Sequence, residues 1–202
     1  MDFQINKHSC LIIIDMQNDF LEPTGLFGQN CYKLEPLKIS KKISDIVDIF
    51  RNNGLLIIWT KFVLKNFKKS DKKVIAKLPF EEQTYIGDKK YCCDEYGYDF
   101  YADIKLSISN RDIILEKYWY SAFKNTNLDQ LLKGNNIQTT FICGITKDYC
   151  VYSTSLSAYK LGYNVVVISD CIKEDYDSDN FDKFVPFSYI VDSYMIKKLK
   201  YL

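Results

Sequence analysis

The chain has 202 residues, 47% hydrophobic and 26% charged, with a formal net charge of +1. That length suits one domain spanning 1–202, and the balance of charged and apolar residues excludes wholesale disorder. Near-neutral charge argues against a nucleic-acid partner, and no apolar run approaches the roughly 20 residues that cross a bilayer. The opening Met1-Asp2 lacks the basic and apolar regions of a secretion signal, so a cytoplasmic location is expected.

Cys10, Cys31, Cys92, Cys93, Cys143, Cys150 and Cys171 make an odd set of 7 with no C-x-x-C pair. Reduced thiols fit this better than a disulfide framework. His8 is the 1 histidine. Zinc sites draw on several closely spaced His or Cys ligands, so neither a metal nor another cofactor is expected.

In chain order, Cys10 to Ile14 is a continuous apolar run ending at Asp15, the pattern of a strand buried on both faces. The spacing of Ile39, Ile43, Ile46, Val47 and Phe50 predicts a helix over 36–53, stopped by Gly54. A second buried strand follows at Leu55 to Trp59, and a third over 112–116 around Ile113, Ile114 and Leu115. Leu128, Leu131 and Leu132 predict a short helix closed by Gly134. Thr139 to Cys143 reads as a fourth strand ending at Gly144. A helix is expected from Cys150 to Leu161, then a fifth strand from Val165 to Ile168 ending at Ser169-Asp170. Residues 189–196 suggest an edge strand. Strand–helix alternation of this kind predicts an α/β fold, with a parallel sheet covered on both faces.

Residues 61–110 are an irregular excursion. Lys61, Lys65, Lys68, Lys69, Lys72, Lys73 and Lys77 crowd its first part, and acidic and aromatic residues fill the second. The lysines read as a solvated face.

Parallel sheets bind ligands outside the carboxyl ends of their strands. The first strand delivers Asp15 there, with Gln17 and Phe20 just beyond, and the second delivers Thr60 and Lys61. The third delivers Lys117, then Trp119, Ser121 and Phe123. The fourth delivers Gly144, Thr146 and Cys150. An acid, a cation and a thiol thus converge on one rim. A helix start and a nearby cation both favour thiolate at Cys150, and Asp15 is placed to take the thiol proton. Unpaired N–H groups at the helix start suit an oxyanion. His8 lies seven residues before Asp15, about 23 Å away along an extended strand, which disfavours a Cys–His pair. Trp59, Cys10 and Cys143 read as core, and Asp170 as a cap or local ion-pair partner.

Leu11-Ile-Ile-Ile-Asp-Met-Gln-Asn-Asp-Phe20 resembles the opening signature of isochorismatase-like cysteine hydrolases. Glu116-Lys-Tyr-Trp-Tyr-Ser-Ala-Phe123 resembles their K-x-x-x-S-A-F segment, and Gly144-Ile-Thr-Lys-Asp-Tyr-Cys-Val151 their G-x-T-x-x-x-C-V segment. Leu161 to Asp170 resembles the strand that follows. The resemblance spans about 9–171 and is weak from 61 to 98.

It implies a Rossmann-like three-layer αβα fold with a central six-stranded, mostly parallel sheet, and a triad of Asp15, Lys117 and Cys150. It also implies a cis peptide between Ile145 and Thr146, with the N–H groups of Thr146 and Cys150 as oxyanion donors. Gln17, Phe20, Trp119 and Phe123 are candidates for the substrate pocket. Nicotinamidases of this family hold a metal through a D-x-H segment after the second strand. Here that segment reads Thr60-Lys-Phe-Val-Leu64, and neither Phe62 nor Leu64 is a ligand. The metal-free branch is therefore expected, acting on a C–N bond of a small amide, carbamoyl or ureido substrate. Relatives commonly form dimers or tetramers, so a homo-oligomer is expected. Two other readings stand beside this one. Asp15 alone as the acid would cleave a vinyl ether, as isochorismatases do; or the fold would serve as a non-enzymatic binding protein.

Overall fold

The apolar runs form the middle of the sheet because both of their faces are covered. In the computed structural model, which describes residues 4–25, 28, 35–63, 95–173 and 180–199, β1 (Ser9–Ile14) is buried along its whole length. It pairs in parallel with β2 (Leu56–Phe62) on one side and β4 (Thr139–Ile145) on the other. Beyond β2 lies β3 (Ile113–Lys117); beyond β4 lie β5 (Asn164–Lys173) and β6 (Tyr189–Val191). The order is β3-β2-β1-β4-β5-β6, and every pairing is parallel.

The chain leaves β1 in one direction through α2 (Pro36–Asn52) and leaves β4 in the other through α6 (Tyr152–Lys160). Right-handed crossovers in opposite directions put these helices on opposite faces, which gives the three layers. Ile39, Ile43, Ile46, Val47 and Phe50 form the buried face of α2, as their spacing predicts. Phe50 meets Phe141 of β4 edge to face at 5.2 Å. A short α1 (Asn18–Leu21) follows β1, and α5 (Leu128–Gly134) precedes β4.

Four expectations change. The edge strand expected over 189–196 is only the three residues of β6. The remainder is α7 (Ser193–Lys198), started by Asp192, whose carboxylate accepts the N–H of Met195 at 2.7 Å. The fifth strand does not end at Ile168 but runs on to Lys173, past an irregularity opposite Ile142 and Gly144. The third strand is an edge of the sheet, so it is not buried on both faces: Ile114 is 51% exposed. Finally, the end of the 61–110 excursion is ordered structure. It holds α3 (Glu95–Tyr98) and α4 (Ala102–Lys105), and Phe100, Tyr101 and Ile104 join the core. Phe100 bridges to Gln17, and the N–H of Tyr101 donates to the Met16 carbonyl at 3.0 Å. Most of the lysine cluster, with Cys31, Cys92 and Cys93, lies outside the described residues.

The sheet reverses its growth between β1 and β4, and this switch point is where such folds open a crevice. Gly144 makes the close approach possible there. Its φ is +115°, and a Cβ would lie 2.2 Å from the Ile14 carbonyl oxygen. Gly144→Ala is therefore expected to lower the melting temperature by about 10 °C or more, measured by thermal unfolding.

Candidate active site

Asp15 follows the last residue of β1, with φ of 51°, in the left-handed region. Aspartate tolerates this region better than most residues, and observed strain of this kind clusters at working sites. The turn is held from both sides. Behind it, the Thr60 hydroxyl of β2 lies 2.6 Å from Asp15 Oδ1 and accepts the Asp15 N–H at 3.1 Å. Ahead of it, Gln17 is fully buried and clasps the end of β2. Its amide donates to the Phe62 carbonyl at 2.9 Å and the Tyr98 carbonyl at 2.7 Å, and its oxygen accepts the Phe62 N–H at 2.7 Å.

Lys117 ends β3 and is fully buried. Its ammonium lies 2.6 Å from Asp15 Oδ2 and donates to Cys150 Sγ at 3.3 Å and to the Trp119 carbonyl at 3.0 Å. The ring of Phe62 covers it, with the centroid at 4.9 Å. Cys150 is 4% exposed. It lies not in the first turn of an α-helix, as expected, but in a wider π-helical turn, Lys147–Val151, that leads into α6. Such turns recur at functional sites. The Ile145–Thr146 peptide bond is cis, and the N–H of Val151 donates back to the Thr146 carbonyl at 3.1 Å. Thr146 itself is buried.

The electrostatics reverse one expectation. Burial pushes the Cys150 thiol well up; Lys117 draws it down, and Asp15 pushes it up again. Desolvation is the largest of these influences, so the thiol lies above its ordinary range. Burial disfavours the Lys117 ammonium, but the carboxylate of Asp15 beside it prevails and holds its pKa above the ordinary lysine value. The site is an ion pair beside a buried thiol.

The other candidates are placed as follows. Gln17 spends its amide on main-chain groups. Phe20 is buried against Phe62, with ring centroids 6.4 Å apart. Trp119 offers its carbonyl to Lys117, while its ring sits under the Lys124 ammonium at 3.4 Å. Phe123 stacks on Tyr163 at 6.0 Å; Tyr163 precedes β5, at the opposite edge of the sheet from Asp15, Lys117 and Cys150. His8 is at that same distant edge, 2.8 Å from the Asn136 carbonyl. Trp59 is core, donating to Asp112 at 2.9 Å. Asp170 pairs with Lys42 at 2.9 Å and accepts the Ser193 N–H at 2.7 Å. Sequence reasoning placed Thr60 on the rim but gave it no role. A polar side chain at the end of an apolar strand, beside the strand carrying the acid, was the available signal.

The clasp makes its own prediction. Gln17→Leu leaves the Phe62 N–H buried without its acceptor and removes two further bonds. It is expected to cost about 3 kcal/mol in urea unfolding.

Residues 9–180 match the model of the Isochorismatase domain family. The chain belongs to the isochorismatase family. It is 31% identical over 180 residues to the ureidoacrylate amidohydrolase RutB of Enterobacter sp. (strain 638), covering 81% of this chain and 74% of that one. The N-carbamoylsarcosine amidase structure from Thermoplasma acidophilum superposes with a TM-score of 0.71 at 23% identity, over 92% of this chain and 96% of that one. The pyrazinamidase of Pyrococcus horikoshii, solved with zinc, gives a TM-score of 0.72 at 25% identity, over 92% and 99%. The fold is therefore that of the isochorismatase family.

Phe62 offers no donor atom, and its ring is engaged with Phe20 and Lys117. Among the described residues, no group of three or more His, Cys, Asp or Glu could hold a metal ion. Leu64 lies outside the described residues. No helix among the described residues is long and apolar enough to cross a membrane.

Proposed function

We propose that this protein is a cysteine hydrolase that cleaves the C–N bond of a small amide, with ureido and carbamoyl compounds as the favoured class. The observation that carries the reading is the buried Lys117 ammonium, 2.6 Å from the Asp15 carboxylate and 3.3 Å from the Cys150 sulfur. A cation shared by an acid and a thiol in a dry site is suited to making a thiolate on demand. Likeness to an amidohydrolase supports the bond type.

The chemistry runs in two halves. Asp15 takes the thiol proton, and the sulfur attacks the substrate carbonyl. The N–H groups of Thr146 and Cys150 hold the oxyanion, and Lys117 balances the charge passing between sulfur and carboxylate. The C–N bond breaks, and Asp15 returns the proton to the leaving nitrogen. Water, deprotonated by Asp15, then attacks the thioester or thiocarbamate; the acid is released and the thiol regains its proton. Burial of the thiol limits its oxidation, which acts on exposed thiolates.

Ammonia release from ureidoacrylate, N-carbamoylsarcosine and pyrazinamide tests this, since each yields ammonia directly or through carbamate breakdown. Release from a ureido or carbamoyl compound is the expected result. Release from none of the three contradicts the proposed substrate class.

A further inference from the structure

We propose that Thr60 is a positioning residue for Asp15: it determines which carboxylate oxygen receives the Cys150 proton. The inference rests on the hydrolase reading above and deepens it. Thr60 is fully buried, and the pairing of Ile13 with Trp59 brings it alongside the end of β1. Its hydroxyl makes two bonds to the same residue. It accepts the Asp15 N–H at 3.1 Å and lies 2.6 Å from Asp15 Oδ1.

A hydroxyl has one proton to give. Because the Asp15 N–H already points at the Thr60 oxygen, that proton goes to Oδ1. Oδ1 is thereby held as an acceptor and turned away from proton transfer. Oδ2 is left at 2.6 Å from Lys117, whose ammonium also reaches Cys150 Sγ at 3.3 Å. The oxygen on the Lys117 side therefore receives the thiol proton and returns it to the leaving nitrogen. The same two bonds tie the left-handed backbone of Asp15 to its side chain, so the base is held in one orientation.

The test is a cycle of Thr60→Val and Thr60→Ser in the wild-type and Asp15→Asn backgrounds. Its readout is iodoacetamide labelling of Cys150 at about pH 8, followed by peptide mass spectrometry. Thr60→Val is expected to slow labelling about tenfold, because the carboxylate is no longer held in the orientation that presents Oδ2. Thr60→Ser, which keeps the hydroxyl, stays within about twofold. In the Asp15→Asn background, Thr60→Val adds nothing further. With a substrate, Thr60→Val lowers kcat about tenfold and leaves KM within about twofold. Should Thr60→Val not fold, Thr60→Ala enters the same cycle with the same expectation.

Labelling of Thr60→Val at the wild-type rate overturns the proposal. So does equal slowing with and without Asp15, because that marks a structural role. Labelling needs no substrate, so the two readings fail separately: turnover by Cys150→Ala contradicts the hydrolase reading, whereas a silent Thr60→Val contradicts only this one.

Discussion

Cys150→Ala is expected to abolish amide hydrolysis, by at least about 1,000-fold in kcat, while the protein stays folded. The structure separates the two effects. The sulfur sits in a turn held by the bond from the Val151 N–H to the Thr146 carbonyl. Removing it deletes one buried atom and leaves the Asp15–Lys117 pair intact. Melting is accordingly expected within about 5 °C of wild type, on the scale of a small cavity. The measurement is ammonia release beside thermal unfolding. Turnover that survives Cys150→Ala but not Asp15→Asn points instead to acid-only chemistry of the vinyl-ether kind.

Lys117→Met is expected to be the most damaging single change at the site. It leaves the fully buried Asp15 carboxylate without its counter-charge, which costs about 3–5 kcal/mol, or roughly 10 °C in melting temperature. Activity is lost with it. The pH dependence has a definite sign. A lysine whose pKa is raised on folding adds stability that is complete below the unfolded value of about 10.4, and that is lost as pH rises through the folded value. The buried thiols of Cys10, Cys143, Cys150 and Cys171, all pushed up chiefly by burial, act in the same direction from about pH 8.5 upward. Wild type is therefore expected to lose stability above about pH 9. Lys117→Met starts lower and falls less steeply above about pH 10. Urea unfolding from neutral to strongly alkaline pH reads both.

Much of this was legible in the residues. Five apolar runs marked the strands, and their carboxyl ends named Asp15, Lys117 and Cys150 before any geometry. Parallel sheets gather those ends on one rim, so three positions distant in sequence become neighbours. What escaped depended on burial and on long-range pairing. A helix start and a lysine argued for thiolate at Cys150, but at 4% exposure burial pushes the thiol the other way. Residues 189–196 alternate enough to suggest a strand, yet Asp192 caps a helix that begins at Ser193. Phe123 sits in a segment that resembles a catalytic signature, but the chain runs away from the rim and the ring reaches Tyr163 instead. Gln17 and Thr60 were visible only as polar residues near strand ends. Their work is done across strands, with Phe62 and Asp15 respectively, and spacing along the chain does not reveal that.

The most direct test of the central claim is to trap the covalent intermediate. The enzyme is mixed with a ureido or carbamoyl substrate, quenched in acid during turnover, digested and mapped by mass spectrometry. The account predicts an acyl or carbamoyl adduct on the peptide carrying Cys150 and on no other cysteine, absent when Cys150 is alanine. Steady turnover with an unmodified Cys150, and an alanine variant as fast as wild type, would contradict it.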